Sequence, residues 1–420
     1  MAGATNRATD RANDRATNRA NDRANDRASN GTDHGASNET DSRANSRANS
    51  GTDKRADLVL EGGGVKGVGL VGALHELHAA GYRFGRAAGT RVAGTSAGAV
   101  VGALAAAGMR PERMRDLLFQ VDYRRFRDAS AVERVPLVGR GFSLLSLLFE
   151  RGVFEGDYLR EWLGNELAGL GVETFDDLAL DDPAPWMGED QRYSLVVTAT
   201  DVTLGRLVRL PWDYRSVYGV AEPGRQRVAD AVRASMSIPF FFEPVTITNP
   251  GTGLVSTLVD GGVLSNFPID TLDRTDGEQP RWPTFGVKLL PAFREDTLRL
   301  PLAGAPHLPA LRLLASLVGT AIVGHDQTYL DQPWVRARTI QVDTESVGVV
   351  DFGLDERQKL DLYLNGRTAG AAFLTTWNWD DYRARFRPPA RSSARKTSGR
   401  KTSGRKTSGR AETAGSLLGR

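Results

Sequence analysis

Gly94-Thr95-Ser96-Ala97-Gly98 is the stretch that decides the fold, because it joins a short apolar run to a run of small residues. This order predicts a strand, a sharp turn with Ser96 at its apex, and a helix over residues 99–107. The pattern glycine-x-serine-x-glycine on such a turn is a nucleophile elbow, whose glycines let the strand and the helix approach closely. A helix that begins just after Ser96 also directs its free N–H groups toward charge that develops there. Alone, the pattern is weak, since a chain rich in glycine and alanine produces it by chance.

A second glycine motif lies upstream, between a predicted strand over residues 57–61 and a predicted helix over residues 68–80. In that setting it indicates either a dinucleotide site or an oxyanion hole made of backbone N–H groups. A dinucleotide site needs an acidic residue about 20 positions further on, and none occurs between Glu76 and Glu112. A Walker loop is excluded, because Lys66 is followed by glycine. We therefore expect an oxyanion hole built from Gly62, Gly63, Gly64, Val65, Lys66 and Gly67.

A third motif, Asp260-Gly261-Gly262, ends a predicted strand over residues 254–259. An aspartate in this position is most often a turn or cap residue. Together with Ser96, it is also a candidate for the carboxylate that accepts the hydroxyl proton.

In this order, the three motifs resemble the signatures of patatin-like phospholipases. The segments 198–205 and 231–241 are also similar to that family, so the resemblance covers roughly residues 57–273. It implies a Ser–Asp dyad, with Ser96 as nucleophile and Asp260 as base, flanked by the elbow and Asp-Gly-Gly glycines Gly94, Gly98, Gly261 and Gly262. The chain departs from the family pattern at Glu61, where aspartate is frequent, and at Lys66, where arginine is frequent. Lysine keeps the charge but lacks the bidentate fork of arginine.

A Ser–His–Asp triad is the rival arrangement, because Ser96, Asp260 and a later histidine follow the chain order of α/β-hydrolases. His307 and His325 both lie downstream, and ordinary surface or packing roles are favoured for each. His75 and His78 follow the glycine loop and are expected to be structural. The rival also lacks the usual histidine before its oxyanion glycines, since Glu61 stands there. We expect the dyad.

Strands that alternate with helices indicate an α/β fold with a largely parallel sheet, in which ligands bind at the carboxyl ends of the strands. The resemblance implies a three-layer α/β/α sandwich. We expect a disordered tail of Arg/Ala/Asn/Asp repeats over residues 1–56, a catalytic domain over 57–275, and a C-terminal part over 276–388 packed on the same domain. We expect the basic Lys-Thr-Ser-Gly-Arg repeats at 389–420 to form a second disordered tail. A long amphipathic helix is predicted over 308–330.

The amino-acid composition and the net charge exclude several classes of function for this chain. The 420-residue chain has no cysteine, which excludes disulfides and thiolate sites, and its net charge of +3 does not indicate nucleic acid. No metal-ligand spacing is apparent, so no metal or other cofactor is expected. The chain lacks both an apolar signal segment near its first residue and an apolar run of about 18–20 residues. A cytoplasmic protein with peripheral membrane contact is expected, and its oligomeric state is left open.

The sequence thus predicts a serine lipid acyl hydrolase that acts on phospholipids or other lipid esters. Two alternatives stay open, an acyltransferase that uses the same acyl-enzyme and a non-catalytic lipid-binding module. The apolar segments 142–149 and 239–242 are candidates for an acyl channel, although ordinary core is the favoured role for both.

Overall fold

The central strands are short runs of mainly aliphatic and β-branched residues, and they are buried along their whole length. This holds for β2 (Asp57–Leu60), β4 (Val92–Thr95) and β5 (Leu195–Asp201). Continuous burial is typical of parallel strands whose two faces are both covered. The computed structural model describes residues 54–126, 156–239, 241–290, 331–344, 347–348 and 353–388.

One mixed sheet of eight strands organises this part of the chain. The strands not yet given are β6 (Arg206–Leu210), β7 (Val245–Thr248), β8 (Val255–Asp260), β9 (Thr284–Leu290) and β10 (Thr339–Asp343). Their order is β10-β9-β2-β4-β5-β8-β7, and β6 also pairs with β5. The pairs from β10 to β5 are parallel, whereas the pairs that involve β6, β7 and β8 are antiparallel. A separate two-stranded ribbon joins β1 (Lys54–Arg55) to β3 (Tyr82–Arg83).

The helices of the described residues fall between these strands and after them. They are α1 (Gly67–Ala79), α2 (Ala97–Ala106), α3 (Pro111–Gln120), α4 (Asp157–Ala168), α5 (Trp212–Ser216), α6 (Val228–Ser235), α7 (Pro333–Arg336), α8 (Glu356–Thr376) and α9 (Trp379–Phe386).

Alternate side chains of the central strands enter two different cores, as the two-residue period of a strand requires. Leu58 and Leu60 join the larger core, which also contains buried residues of α1, α2 and α8. Val59 joins the smaller core on the other face, together with Phe267 and with Val335 of α7. Helices and connecting segments therefore cover both faces of the sheet, and the predicted α/β sandwich with a largely parallel sheet is confirmed.

Several boundaries and elements differ from the sequence predictions. The helix predicted over 99–107 begins two residues earlier and ends one residue earlier, since α2 spans Ala97–Ala106. Neither β7 nor α9 was predicted from the sequence. β7 was missed because it has only four residues, whose burial alternates as expected for an edge strand. The predicted helix over 308–330 lies outside the described residues.

No helix within the described ranges is both long enough and apolar enough to cross a membrane.

Candidate active site

The ends of β4 and β8 meet on one edge of β5. Thr95, the last residue of β4, pairs with Thr198, and Asp260, the last residue of β8, pairs with the next residue, Ala199. Because β6 occupies the other edge of β5, β4 and β8 share one edge and approach each other from opposite directions. This topology brings Ser96, which follows β4, next to Asp260, which ends β8.

Ser96 has the backbone geometry of a strained elbow. Its φ is 52° and its ψ is −124°, and it is the only non-glycine residue with a positive φ in the described ranges. Such a conformation costs about 1–3 kcal/mol and persists only where the surroundings hold it. The Ser96 N–H donates to Ser235 Oγ at 2.8 Å, and that hydroxyl donates to the Thr198 carbonyl oxygen at 2.6 Å. Ser235 of α6 therefore ties the elbow to β5.

The two glycines of the elbow are required by close packing. A Cβ atom on Gly98 would overlap the carbonyl oxygens of Leu60 and Glu61, and one on Gly94 would overlap the Gly98 carbonyl. The first turn of α2 thus lies directly against the end of β2 and the start of the glycine loop. This contact places the loop beside the serine, and a Cβ on Gly62 would lie 3.1 Å from the Ser96 Cβ.

Asp260 is buried, and only one of its two carboxylate oxygens accepts a hydrogen bond from the described residues. Its Oδ1 accepts from the Gly262 N–H at 2.8 Å, and its own N–H donates to the Ser237 carbonyl at 2.8 Å. Its Oδ2 is buried and has no hydrogen-bond partner among the described residues. Burial raises the pKa of Asp260 to about 6, and the Ser96 hydroxyl and the Gly262 N–H oppose that rise. The Ser96 hydroxyl also lies 3.5 Å from Met236 Sδ, to which it can donate a weak hydrogen bond.

Within the glycine loop, the six predicted oxyanion residues do not offer equivalent N–H groups. Three are already engaged, because the Gly62 N–H donates to the Asn266 carbonyl, the Lys66 N–H to the Gly63 carbonyl and the Gly67 N–H to the Gly64 carbonyl. The Gly63 and Gly64 N–H groups donate no hydrogen bond within the described part of the chain. Gly64 has a φ of 56°, which glycine adopts without strain.

Asn266 holds the glycine loop from the side of the Asp-Gly-Gly motif. Its Nδ2 donates to the Gly62 carbonyl at 2.9 Å, while its own carbonyl accepts the Gly62 N–H at 3.2 Å. Asn266 is buried and lies six residues after Asp260, so one short segment supplies both the carboxylate and the support of the loop. Asn266 was not predicted as a site residue, because a polar residue in a loop carries no local pattern that marks this role.

The two residues that depart from the family pattern are both buried and both form contacts. Lys288 Nζ and Glu61 Oε1 form an ion pair at 2.5 Å, and the Leu289 N–H donates to Glu61 Oε2. Lys66 Nζ donates to Thr344 Oγ1 at 3.1 Å. Burial lowers the pKa of Lys66 to about 8, although Glu61 and Asp343 oppose that shift. Lys66 is only 3% exposed, so it is placed to hold the loop against the end of β10.

The other predicted residues lie away from this centre or outside the described residues. His307, His325 and segment 142–149 are outside them. His75 Nδ1 is 3.0 Å from the Tyr363 hydroxyl on α8, and no histidine in the described ranges hydrogen-bonds Ser96 or Asp260. Phe241 and Phe242 are buried in the larger core, in agreement with the favoured role of segment 239–242. The described residues contain no group of three or more acidic or histidine side chains arranged to hold a metal.

Comparisons with known proteins identify the family to which this chain belongs. The sequence model of the family described as patatin-like phospholipase matches residues 58–273. The uncharacterised protein YqhO of Bacillus subtilis (strain 168) is 35% identical over 324 residues, which cover 77% of this chain and 99% of YqhO.

Two solved structures are also similar. VipD from Legionella pneumophila has a TM-score of 0.41 and 17% identity over 76% of this chain and 67% of its own. ExoU, in its complex with SpcU from the type III secretion system of Pseudomonas aeruginosa, has a TM-score of 0.40 and 20% identity over 76% of this chain and 51% of its own. The chain thus spans about half the length of ExoU. The family match spans more than half of the chain, and YqhO is matched almost completely. The chain therefore belongs to the patatin-like phospholipase family.

Proposed function

We propose that the protein is a serine lipid acyl hydrolase, a phospholipase A or lipid esterase, in which Ser96 is the nucleophile and Asp260 the general base. The observation that carries this proposal is the buried, unpartnered Oδ2 of Asp260 beside the strained elbow serine. A carboxylate oxygen without a hydrogen-bond donor is costly to bury. In this proposal, the Ser96 hydroxyl is the donor that Oδ2 lacks. Family membership supports lipid hydrolysis in general, because patatin-like phospholipases act on lipid substrates.

In the acylation step, Asp260 Oδ2 takes the hydroxyl proton while Ser96 Oγ attacks the ester carbonyl carbon. The carbonyl oxygen becomes an oxyanion, which the free N–H groups of Gly63 and Gly64 stabilise together with the amino-terminal end of α2. The intermediate collapses, the C–O bond to the alcohol breaks, and Asp260 returns the proton to the leaving oxygen. The acyl group remains on Ser96 as an ester.

Deacylation repeats the same steps with water. Asp260 removes a proton from a water molecule, and the water oxygen attacks the acyl carbon. The same N–H groups stabilise the second oxyanion. Collapse releases the fatty acid, and the Asp260 proton returns to Ser96 Oγ. A competing alcohol in place of water would make the protein an acyltransferase, which analysis of the products formed in the presence of an added alcohol distinguishes.

A fluorophosphonate probe tests the nucleophile directly. We expect such a probe to label the protein at one position, and peptide mapping by mass spectrometry to place the label on Ser96, because phosphonylation needs an activated hydroxyl beside an oxyanion hole. The Ser194→Ala variant is the matched control, since Ser194 is also fully buried and hydrogen-bonded but belongs to the opposite end of β5. Absence of labelling, or a label elsewhere in the wild-type chain, contradicts the proposal.

Asn266 is expected to position the oxyanion loop. Replacing it with alanine removes the hydrogen bond to the Gly62 carbonyl, and we expect kcat for a soluble ester to fall about 10- to 100-fold, less than the loss of a whole oxyanion donor. KM should change little, because the ground-state ester gains little from the oxyanion donors.

A trifluoromethyl ketone separates this role from a general loss of structure. Its affinity should fall in Asn266→Ala in parallel with kcat/KM, because the ketone adduct carries the oxyanion that the loop stabilises. Unchanged affinity together with a lowered melting temperature would show that Asn266 only supports the fold.

A further inference from the structure

Most of the exposed aliphatic side chains of the described residues lie on two neighbouring hairpin tips. Six large aliphatic residues of the described ranges are at least 41% exposed, and four of them lie on these tips: Val202, Leu204, Leu254 and Val255. Val202 and Leu204 lie on the tip between β5 and β6, and Leu254 and Val255 lie on the tip between β7 and β8. We refer to these four residues as the hairpin-tip surface.

The two tips are joined and internally fixed. The Val202 N–H donates to the Thr257 carbonyl at 3.0 Å, and the Thr257 N–H donates to Thr203 Oγ1 at 2.9 Å. The buried Asp201 accepts from the N–H groups of Thr203 and Leu204 through Oδ1 and from the Tyr218 hydroxyl through Oδ2. These bonds hold aliphatic side chains in water on an ordered backbone, which is unfavourable for an isolated monomer.

The tip between β7 and β8 is also fixed by hydrogen bonds to one side chain. Asn249 Oδ1 accepts from the N–H groups of Gly251 and Thr252, and Asn249 Nδ2 donates to the Val217 carbonyl at 3.2 Å. The backbone between Asn249 and Leu254 is closed by a hydrogen bond from the Asn249 N–H to the Leu254 carbonyl. Both tips therefore present their side chains from fixed turns.

The hairpin-tip surface lies at the same end of the sheet as the candidate active site. β5 continues past Ala199, the partner of Asp260, and Val202 comes three residues later, about 10 Å further along the strand. Val255 begins β8 five residues before Asp260, which corresponds to about 17 Å in the same direction. The tips thus extend beyond the candidate active site on the side from which a substrate at the carboxyl ends of the strands approaches.

The absence of charged residues from the tips favours a lipid surface over a polar partner. Residues 202–205 and 249–257 contain no Asp, Glu, Lys, Arg or His, although charged residues make up 25% of the chain. Uncharged turns with aliphatic side chains suit the boundary between headgroups and acyl chains, where burial of each CH₂ group is favourable. Within these two turns, a charged macromolecular partner would find no side chain of opposite charge.

We propose that the hairpin-tip surface docks the protein on a zwitterionic lipid surface, so that lipid esters in that surface reach Ser96. This proposal rests on the proposed function for its choice of occupant, but its central test measures binding and not turnover. The variant is Leu204→Asp/Leu254→Asp. Leu360→Asp/Leu364→Asp is the matched control, because these two leucines of α8 have similar exposure and are not on the tips.

Flotation with vesicles of diether phosphatidylcholine, which contains no ester bond, separates docking from hydrolysis. We expect the wild type and the α8 variant to float with the vesicles, and the partition of the tip variant to fall about tenfold or more, since aspartate cannot enter the interface. Turnover of a short-chain ester dissolved as monomers should be equal in all three proteins. Turnover of ester-linked phosphatidylcholine in vesicles should fall only in the tip variant.

Other outcomes are decisive as well. Equal flotation of the tip variant and the wild type, or no flotation of the wild type, overturns the docking proposal. Sedimentation velocity that shows a dimer in the wild type and a monomer in the tip variant assigns the surface to a second copy and also overturns it. Normal flotation behaviour without any ester turnover in the wild type would remove the proposed function and leave the docking surface standing.

Discussion

Alanine at position 96 is expected to lower the turnover of p-nitrophenyl acyl esters by about 10⁴-fold or more. The substitution removes the only atom that can form the acyl-enzyme, and what remains is binding and oxyanion stabilisation. Steady-state kinetics on a soluble ester measures the loss. KM is expected to stay close to the wild-type value, because Ser96 Oγ makes little contact with the ground-state ester apart from the reacting carbon.

The size of that loss depends on the fold staying intact. Ser96 adopts a positive φ, and alanine carries the same backbone strain, so the elbow is not relaxed by the change. The Ser96 N–H still donates to Ser235 Oγ, because this bond does not involve the side chain at position 96. The control is Ser194→Ala, which removes a buried hydroxyl that donates to the Thr90 carbonyl and should leave turnover within a small factor of wild type. Retention of wild-type turnover by Ser96→Ala would rule out the proposed nucleophile.

The Asp260→Asn variant is expected to lose about 10³- to 10⁴-fold in kcat while remaining at least as stable as the wild type. The amide cannot take the hydroxyl proton, so the loss is that of the general base. Its Oδ1 still accepts from the Gly262 N–H, and its Nδ2 replaces the buried oxygen that has no donor. Kinetics on a soluble ester and thermal unfolding at pH 7 measure the two effects on one protein preparation.

The sign of the stability effect follows from the pKa of Asp260. Burial raises it from 3.8 to about 6, so the folded state binds the proton more tightly than the unfolded state does. The stability associated with the neutral carboxyl is present at acidic pH and is lost as the pH rises through about 6. At pH 7 the ionised carboxylate thus lowers the free energy of unfolding by an amount on the order of 3 kcal/mol, which asparagine restores. A marked fall in melting temperature would contradict this account.

The same pKa sets the pH dependence of turnover. Only the ionised carboxylate acts as a base, so kcat/KM of the wild type should rise with pH through about 6 and level off above about pH 7. The residual activity of Asp260→Asn should lack this inflection. If the inflection persists in that variant, a group other than Asp260 is responsible for it, and a downstream histidine becomes the next candidate.

Local patterns in the sequence were sufficient to predict the fold class and the central motifs. The turn at Ser96 and the one after Asp260 depend on residues within a few positions of each other, where glycine has a direct steric meaning. Parallel pairing follows from apolar strands separated by helices, and β2, β4 and β5 are such strands. The α/β fold with a largely parallel sheet was therefore predictable without any knowledge of contacts.

The supporting residues were not predictable, because their roles depend on long-range pairing. Ser235 acts on the Ser96 N–H only because α6 packs beside the end of β5, and Asn266 reaches Gly62 across more than 200 residues of sequence. Neither residue has a local pattern that distinguishes it from other polar residues in a turn or helix. The sequence showed only that Lys66 lacks the fork of arginine, because its contact with Thr344 depends on where β10 ends.

The junction of β4 and β8 on β5 also has an evolutionary consequence. Ser96 and Asp260 are far apart in sequence, yet two adjacent residues of β5, Thr198 and Ala199, fix their relative position. Insertions or deletions in the connections on either side of β5 leave that spacing unchanged. Descendants of this chain can therefore exchange whole surface segments while the relative position of Ser96 and Asp260 is retained.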